Sequence, residues 1–177
     1  VTTDGHSVQV CANVGNLQDV EQAVTKGIDG IGLFRSEFLY MENTHFPTEE
    51  EQFEAYKKAA EQVGKDIIIR TLDIGGDKEL SYYAWDPEEN PFLGWRAIRI
   101  CLTKKDIFKT QLRALLRASA YGTIRIMYPM IISLEELREA NALLEECKEE
   151  LRQEKISFDA DRMTSDNAYK VDTSLGG

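Results

Sequence analysis

The sequence predicts an α/β fold in which four strand–helix units contribute to a parallel sheet. Short β-branched and apolar runs alternate with longer segments whose apolar residues recur every three or four positions. Serine, threonine or asparagine stands at the start of several of these longer segments, as is usual for helix caps. The alternation is compatible with an open doubly wound sheet or a (βα)8 barrel, because both place helices against a parallel sheet.

The first half of the chain contains a strand–helix–strand unit followed by a second helix. The first two strands are predicted at Gln9–Val14 and Ile28–Phe34, and Asn16 is a suitable cap for the helix between them. After a loop, Thr48 and Glu51 form a capping-box pattern that predicts the start of the next helix. This order is typical of a βαβ unit.

The third strand is predicted at Ile67–Ile69, and additional structure is inserted after it. Within the insertion, Asn90-Pro91 predicts a helix start, because asparagine is a common cap and proline is tolerated at the first helical position. Such a helix would carry Arg96 and Arg99 on neighbouring turns.

The last two predicted helices flank the fourth strand, Ile124–Ile132. Thr103 followed by Asp106 suggests the start of the first of them, and Ser133 with Glu136 suggests the start of the second. Four such units are half of an eightfold barrel, so the first and last strands would have unpaired edges.

The composition describes a globular domain and excludes several classes of partner. Hydrophobic residues make up 42% and charged residues 29% of 177 residues, which is ordinary for one domain. A net charge of −10 argues against nucleic acid or an anionic membrane as the main partner. No apolar run approaches the roughly 18–20 residues that span a bilayer. We expect a cytoplasmic protein with three free, buried thiols, since the cysteines show no metal-binding spacing and no signal peptide is evident.

Residues 1–163 are predicted to form the domain, and residues 164–177 differ from it in amino-acid composition. The final segment is rich in serine, threonine, asparagine and glycine, which is typical of a flexible or foreign tail. The chain begins with Val1 and not methionine, so we interpret it as a fragment of a longer protein.

Two arginines follow predicted strands of the parallel sheet, and two further basic residues lie close to them in sequence. Arg35 and Arg70 occupy the strand ends, while Lys78 and Arg96 belong to the insertion. Barrel enzymes assemble their sites at the carboxyl ends of their strands. Because the guanidinium fork suits phosphate and carboxylate, we expect a site for an anion with several oxygen atoms.

The alternative interpretation is that each arginine forms a structural ion pair, for instance with Glu37 or Asp73. For one arginine alone this alternative would be preferred, but four basic residues in one region favour the anion site. His6 and His45 have no spaced carboxylate or second histidine that would orient a catalytic ring. The sequence also offers neither a nucleophile–base pair nor a carboxylate cluster suited to Mg²⁺.

Several motifs resemble Enzyme I of the bacterial phosphotransferase system, the phosphoenolpyruvate–protein phosphotransferase family. They are GLFRSEFL at 32–39, PTEEEQ at 47–52, RTLDIGGDKEL at 70–80, ENPFLGWRAIRI at 89–100 and IRIMYPMIISLEE at 124–136. The resemblance extends from about Val1 to about Asp161 without a large gap. It implies the first half of the C-terminal phosphoenolpyruvate-binding domain, a (βα)8 barrel that works with Mg²⁺ and dimerises.

In that family, the phosphoryl group passes from phosphoenolpyruvate to a histidine on a separate N-terminal domain. It then passes to a small phosphocarrier protein and onward to sugar uptake. The resemblance implies that Arg35 and Arg70 hold the substrate's phosphate, with Arg96 and Lys78 as further basic residues of the site.

The chain ends before the part of the family pattern that supplies the metal ligands and a proton-donating cysteine. We therefore expect no catalytic residue and no metal ligand here, and a partial substrate domain that does not turn over alone. A non-catalytic half-barrel that dimerises remains an alternative. A fragment of a pyruvate phosphate dikinase or phosphoenolpyruvate synthase relative is another.

Overall fold

The computed structural model describes residues 3–75, 80–84, 88–91, 93–160 and Met163. The strands within these residues are β1 (Cys11–Val14), β2 (Gly30–Arg35), β3 (Ile67–Arg70) and β4 (Ile124–Met127). The helices are α1 (Leu17–Thr25), α2 (Glu37–Met41), α3 (Glu49–Val63), α4 (Ile98–Thr103), α5 (Lys105–Ser119) and α6 (Leu134–Gln153). The predicted alternation of strands and helices, with extra structure after the third strand, is confirmed.

The four strands form one parallel sheet in the order β1-β2-β3-β4, so each strand lies beside the next one in the chain. This sequential order follows from the repeated strand–helix units and is consistent with part of an α/β barrel. In the described residues, β1 and β4 are each hydrogen-bonded to a single neighbouring strand. Within this part of the chain the sheet therefore has two open edges.

The helices bury one face of the sheet. Phe34 of β2, Ile67 and Ile69 of β3 and Ile126 of β4 are at most 4% exposed and belong to the main hydrophobic core. Alternate residues of a strand point to opposite faces, and the intervening Ile68 is only partly buried. The second face is thus the more open one. It is also the face on which β3 presents Arg70, two residues after Ile68.

Three predicted helix caps are confirmed. The Asn16 side chain accepts a hydrogen bond from the Asp19 N–H at the start of α1. Reciprocal capping boxes begin α3, at Thr48 with Glu51, and α6, at Ser133 with Glu136. Each cap satisfies backbone donors that have no partner within the helix.

The helix predicted at Asn90-Pro91 is wrong, because α4 does not begin until Ile98. The preceding residues form turns, in which the Asn90 carbonyl accepts from the Leu93 N–H at 3.0 Å. Arg99 donates to the carbonyl oxygens of Leu93 and Gly94, which holds these turns against α4. The Ala97 N–H, which an α-helix would bond to Leu93, instead donates to the Ile74 carbonyl at 3.1 Å, and Ala97 has a positive φ of 52°.

The predicted Thr103–Asp106 cap is also wrong. Thr103 is the last residue of α4, and its hydroxyl donates to the Arg99 carbonyl instead of capping α5. Lys104 precedes α5 without a side-chain cap. The fourth strand is shorter than predicted, since it ends at Met127, and Met130 has a positive φ of 62° that extended strands do not adopt.

The three cysteines are free thiols, but only two of them are buried. Cys101 and Cys147 lie in the core, whereas Cys11 is exposed, so the prediction of three buried thiols is wrong at Cys11. Burial raises the pKa of the Cys147 thiol to about 12 and also raises the pKa of Cys101. None of the helices in the described part of the chain is both long and apolar enough to cross a membrane.

At the start of α3, Thr48 donates two hydrogen bonds to the Glu51 carboxylate, from its backbone N–H and from its hydroxyl. The bond from the Thr48 N–H is the largest cause that lowers the pKa of Glu51 to about 2. Because this pKa is lower in the folded than in the unfolded chain, ionised Glu51 stabilises the fold above about pH 4.3. That contribution is lost as the pH falls through about 2.

We therefore expect Glu51→Gln to lower the free energy of unfolding at pH 7 and to match the wild type near pH 2. Thr48→Ala should cost about 1 kcal/mol at neutral pH. Urea unfolding across this pH range measures both effects, and Glu61→Gln on the same helix is the control. A Glu51→Gln difference that stays constant with pH would contradict the cap's electrostatic role.

Candidate functional site

Arg35 and Arg70 are the last residues of two neighbouring strands. β2 ends at Arg35 and β3 ends at Arg70, and their Cα atoms are register partners in the parallel ladder. Register partners in a parallel pair present their side chains to the same face. The two arginines therefore begin from adjacent positions at one edge and on one face of the sheet.

Arg70 forms two ion pairs with carboxylates from two different segments. Its Nη2 atom lies 2.5 Å from Glu37 Oε1 and its Nη1 atom lies 2.9 Å from Asp73 Oδ2. Glu37 is the first residue of α2, and its side chain is only 4% exposed. Both acids that the structural ion-pair interpretation named are therefore partners of Arg70, and they fix the orientation of its guanidinium group.

Arg96 is joined to Arg70 through a shared acid. Arg96 Nη2 lies 3.0 Å from Asp73 Oδ1, while the other oxygen of Asp73 faces Arg70. Arg96 is 5% exposed and lies just before α4, not on a helix as predicted. The sequence did not predict that Asp73 would bridge two of the basic residues. Its position three residues after a strand-end arginine is the signal that could have indicated it.

Arg35 is held differently, by an aromatic ring. Its guanidinium carbon lies 4.8 Å from the centre of the Phe38 ring, and its Nε atom is buried without a hydrogen-bond partner. Among the described residues, no carboxylate forms a salt bridge with Arg35. A cation over an aromatic face is stabilised without neutralisation of its charge. Arg35 is thus oriented by Phe38 and keeps its positive charge available.

Gly15 leaves room for this stack at the end of β1. A Cβ atom at residue 15 would lie 2.8 Å from the Phe38 ring and 3.3 Å from Arg35 Nη2. The first of these distances is closer than side chains pack, so a larger residue here would displace Phe38. The Gly15 N–H is bonded to the Asp19 carboxylate at 2.9 Å, which fixes the turn into α1.

The remaining predicted residues lie elsewhere or outside the described residues. Lys78 is outside them, as is the tail at 164–177. His6 and His45 are exposed, and the His45 ring lies 3.1 Å from Glu51 at the start of α3. A cavity of about 410 Å³ lies at the opposite ends of the strands, near Asp66 and Arg125. It is separate from the strand-end arginines.

The acids beside the arginines are paired with guanidinium groups and do not form a cluster of metal ligands in the described residues. Both oxygens of Asp73 face guanidinium groups, and Glu37 Oε1 faces Arg70. Over the part of the chain that the structure describes, no group of three or more histidine, cysteine, aspartate or glutamate residues could hold a metal.

Comparisons with known proteins agree on one family. The model of the PEP-binding domain of PEP-utilising enzymes matches residues 1–165. The chain is 57% identical to a phosphoenolpyruvate-protein phosphotransferase of Mycoplasma capricolum over 159 residues, which are 90% of this chain and 28% of the relative. It is 56% identical to the proteins of that name from Haemophilus influenzae, over 90% of this chain and 28% of the relative, and from Staphylococcus aureus, over 87% and 27%.

The chain therefore spans little more than a quarter of the length of these relatives. The match is nevertheless continuous over almost all of the chain, and it includes both strand-end arginines and the segment that carries Arg96. The chain belongs to the PEP-binding domain family of the PEP-utilising enzymes.

Proposed function

We propose that this chain is the first half of the phosphoenolpyruvate-binding (βα)8 barrel of a phosphoenolpyruvate–protein phosphotransferase. In this proposal residues 1–163 form the half barrel and residues 164–177 lie outside it. The names of the relatives and the fraction of their length that the chain covers support the assignment. The parallel sheet with two open edges is what half of such a barrel requires.

Arg35 and Arg70 would hold the phosphoryl group of phosphoenolpyruvate, and Arg96 and Lys78 would add positive charge around it. The observation that carries this proposal is the register pairing of Arg35 with Arg70 at the carboxyl ends of their strands. Phosphoryl transfer depends mainly on positioning and on stabilisation of negative charge. Guanidinium groups contribute both, because they donate two parallel hydrogen bonds to phosphate oxygens.

The charges around these arginines favour an anion. Three guanidinium groups, of Arg35, Arg70 and Arg96, lie with two carboxylates, of Glu37 and Asp73, so these five side chains have an excess of positive charge. The whole chain carries a net charge of −10, which makes this local excess unusual. Buried carboxylates orient two of the cations, and Phe38 orients the third.

In the complete enzyme, the phosphoryl group would pass to a histidine of another domain and then to a phosphocarrier protein. Mg²⁺, held by residues outside those described, would neutralise further phosphate charge. The complete enzyme would be a cytoplasmic homodimer. The role of this chain would be to bind and orient the phosphoryl end of the substrate through Arg35 and Arg70.

A second role, association through the open edges, is favoured by exposed apolar side chains beside both edge strands. Val8 and Val10, which precede β1, are 59% and 66% exposed, and Ile132 and Leu134, which follow β4, are 74% and 53% exposed. Unpaired strand edges with apolar neighbours are templates for pairing with another chain. The half barrel alone would then pair with a second copy.

Substitution of either strand-end arginine by lysine should weaken phosphoenolpyruvate binding. Arg35→Lys and Arg70→Lys retain a positive charge beside their partners but lose the planar fork. We expect each to raise the dissociation constant about tenfold, equivalent to about 1.4 kcal/mol, in calorimetric titrations of the 177-residue chain.

Arg125→Lys is the matched control for these variants. Arg125 is also a strand arginine that pairs with an acid, Asp66, but it lies near the start of β4, away from the proposed site. Its substitution should leave the dissociation constant unchanged. Equal affinity of the wild type and the Arg35→Lys and Arg70→Lys variants would rule out a phosphate-binding role for these arginines.

The chain alone should not become phosphorylated. Its two histidines, His6 and His45, are exposed and lie outside the arginine cluster, so neither is oriented to accept a phosphoryl group. Incubation with radiolabelled phosphoenolpyruvate and Mg²⁺ should leave the protein unlabelled. A stable histidine-linked label on this chain would contradict the assignment of turnover to the complete enzyme.

Light scattering tests the second role. The chain should show a mass that rises with concentration toward that of a dimer, because association buries the open edges of β1 and β4. A charged substitution, Val10→Lys, should shift the curve toward the monomer, while Val24→Lys, on α1, should not. A wild-type mass that stays that of a monomer at every concentration would exclude this association.

A further inference from the structure

A buried hydrogen-bond network joins helix α5 to the residues that follow β2 and β3. Its centre is Gln111 of α5, which is inaccessible to solvent. Gln111 Oε1 accepts a hydrogen bond from the Leu72 N–H at 2.8 Å. Gln111 Nε2 donates to Ser36 Oγ and to the Tyr56 hydroxyl, each at 3.0 Å. Both hydrogens and the carbonyl oxygen of this side-chain amide therefore have partners.

Ser36 connects the network directly to the backbone of Arg70. Its hydroxyl donates to the Arg70 carbonyl oxygen at 2.6 Å while it accepts the hydrogen bond from Gln111. Ser36 follows Arg35 in the chain, and Leu72 lies two residues after Arg70. Gln111 is thus hydrogen-bonded to Ser36, which follows Arg35, and to Leu72, which lies two residues after Arg70. Both bonds lie just beyond the last register pair of β2 and β3.

Tyr56, a residue of α3, extends the network through Gln52 to Tyr40 of α2. Gln52 Oε1 accepts from the hydroxyl groups of Tyr56 at 3.0 Å and Tyr40 at 3.2 Å, and Gln52 Nε2 donates to the Pro47 carbonyl. Burial raises the pKa of both tyrosines, so both hydroxyl groups remain neutral donors. Each of the two hydroxyl groups has one acceptor in this chain of bonds, which fixes the direction in which each of them donates.

A network of this kind defines geometry more than it adds stability. Polar groups lose their hydration on burial, and their hydrogen bonds largely offset that cost, so apolar residues of similar shape could hold α5 against the sheet as well. Fully satisfied networks instead select one arrangement of the elements that they join. Here the joined elements are the two segments that begin at Arg35 and Arg70.

We propose that Gln111 and Ser36 are positioning residues of the anion site, which hold the ends of β2 and β3 at the separation that lets Arg35 and Arg70 grip one phosphoryl group. This inference rests on the proposed function. Neither residue touches the ligand in this account. They act through the backbone of Arg70 and through the chain that carries Arg35.

The experiment compares two serine-to-alanine substitutions in the full 177-residue chain. Ser36→Ala removes the hydroxyl that links Gln111 to the Arg70 carbonyl. Ser119→Ala is the matched control, because Ser119 is 4% exposed and its hydroxyl also makes two hydrogen bonds, to the Leu116 carbonyl and from the Asp159 N–H. It lies at the last residue of α5, away from the arginines.

Two measurements are made on each variant. NMR relaxation of the arginine Nε–H groups reports the order of the Arg35 and Arg70 side chains without any ligand. Calorimetric titration reports the dissociation constant for phosphoenolpyruvate. We expect Ser36→Ala to lower the side-chain order of both arginines and to weaken binding about tenfold, since small displacements of binding groups are costly. Ser119→Ala should change neither quantity.

The outcomes separate this inference from the proposed function. Unchanged arginine order in Ser36→Ala, or lower order with unchanged affinity, overturns the positioning role. If the wild-type chain does not bind phosphoenolpyruvate, the proposed function fails and the role in an anion site fails with it. If Ser36→Ala does not fold, Tyr56→Phe takes its place, because it removes one acceptor of Gln111 and retains the ring. Unchanged arginine order in Tyr56→Phe, or lower order with unchanged affinity, would then overturn the positioning role.

Discussion

The structure depends on the parallel register between β2 and β3. That register pairs Arg35 with Arg70, so two guanidinium groups start from neighbouring points on the same face and edge of the sheet. A shift of one residue in either strand would send one arginine to the helix-covered face, among the buried apolar side chains. Because Phe34 and Ile69 must face that core, burial of the core also fixes the arginines at the open face.

The surroundings of these arginines combine orientation with retained charge. Asp73 binds Arg70 and Arg96 with separate oxygens, and Glu37 binds Arg70 from the opposite segment. Removal of one partner from a buried ion pair is strongly destabilising, so these acids also stabilise the positions of the segments that follow β2 and β3. Arg35 is oriented by Phe38 and is the cation with the least neutralisation in this group. Structural ion pairs and an anion site are therefore compatible interpretations of the same residues.

The sequence predicted the parts of the fold that local chemistry determines. The strands have β-branched runs, and the caps at Asn16, Thr48 and Ser133 need only a side chain that reaches a nearby N–H. The prediction failed at Asn90-Pro91, where the local signal was good but the Ala97 N–H donates to the Ile74 carbonyl instead of continuing a helix. The bond to Ile74 is a tertiary contact, and such contacts leave no trace in a short window of sequence.

In the candidate site, too, some features could be predicted from the sequence and others are visible only in the folded structure. The adjacency of Arg35 and Arg70 follows from consecutive parallel strands, and could be predicted before any coordinates. The bridging by Asp73 and the contact of Gln111 with Leu72 join residues 23 and 39 positions apart. Gln111 lies three residues after Phe108 and four before Leu115, so the helical spacing could have placed it on the buried face of α5, but not identified its partners. Only the packing of α5 against the strand ends shows its role.

The central claim is that Arg35 and Arg70 act on one phosphoryl group, and a double-mutant cycle tests it most directly. Phosphoenolpyruvate affinity is measured for the wild type, Arg35→Lys, Arg70→Lys and the double variant. Two residues that share one ligand group should be coupled by about 0.5–3 kcal/mol, so the double variant should lose less affinity than the two single losses combined. Strictly additive losses would show that the two arginines act independently and would contradict the account.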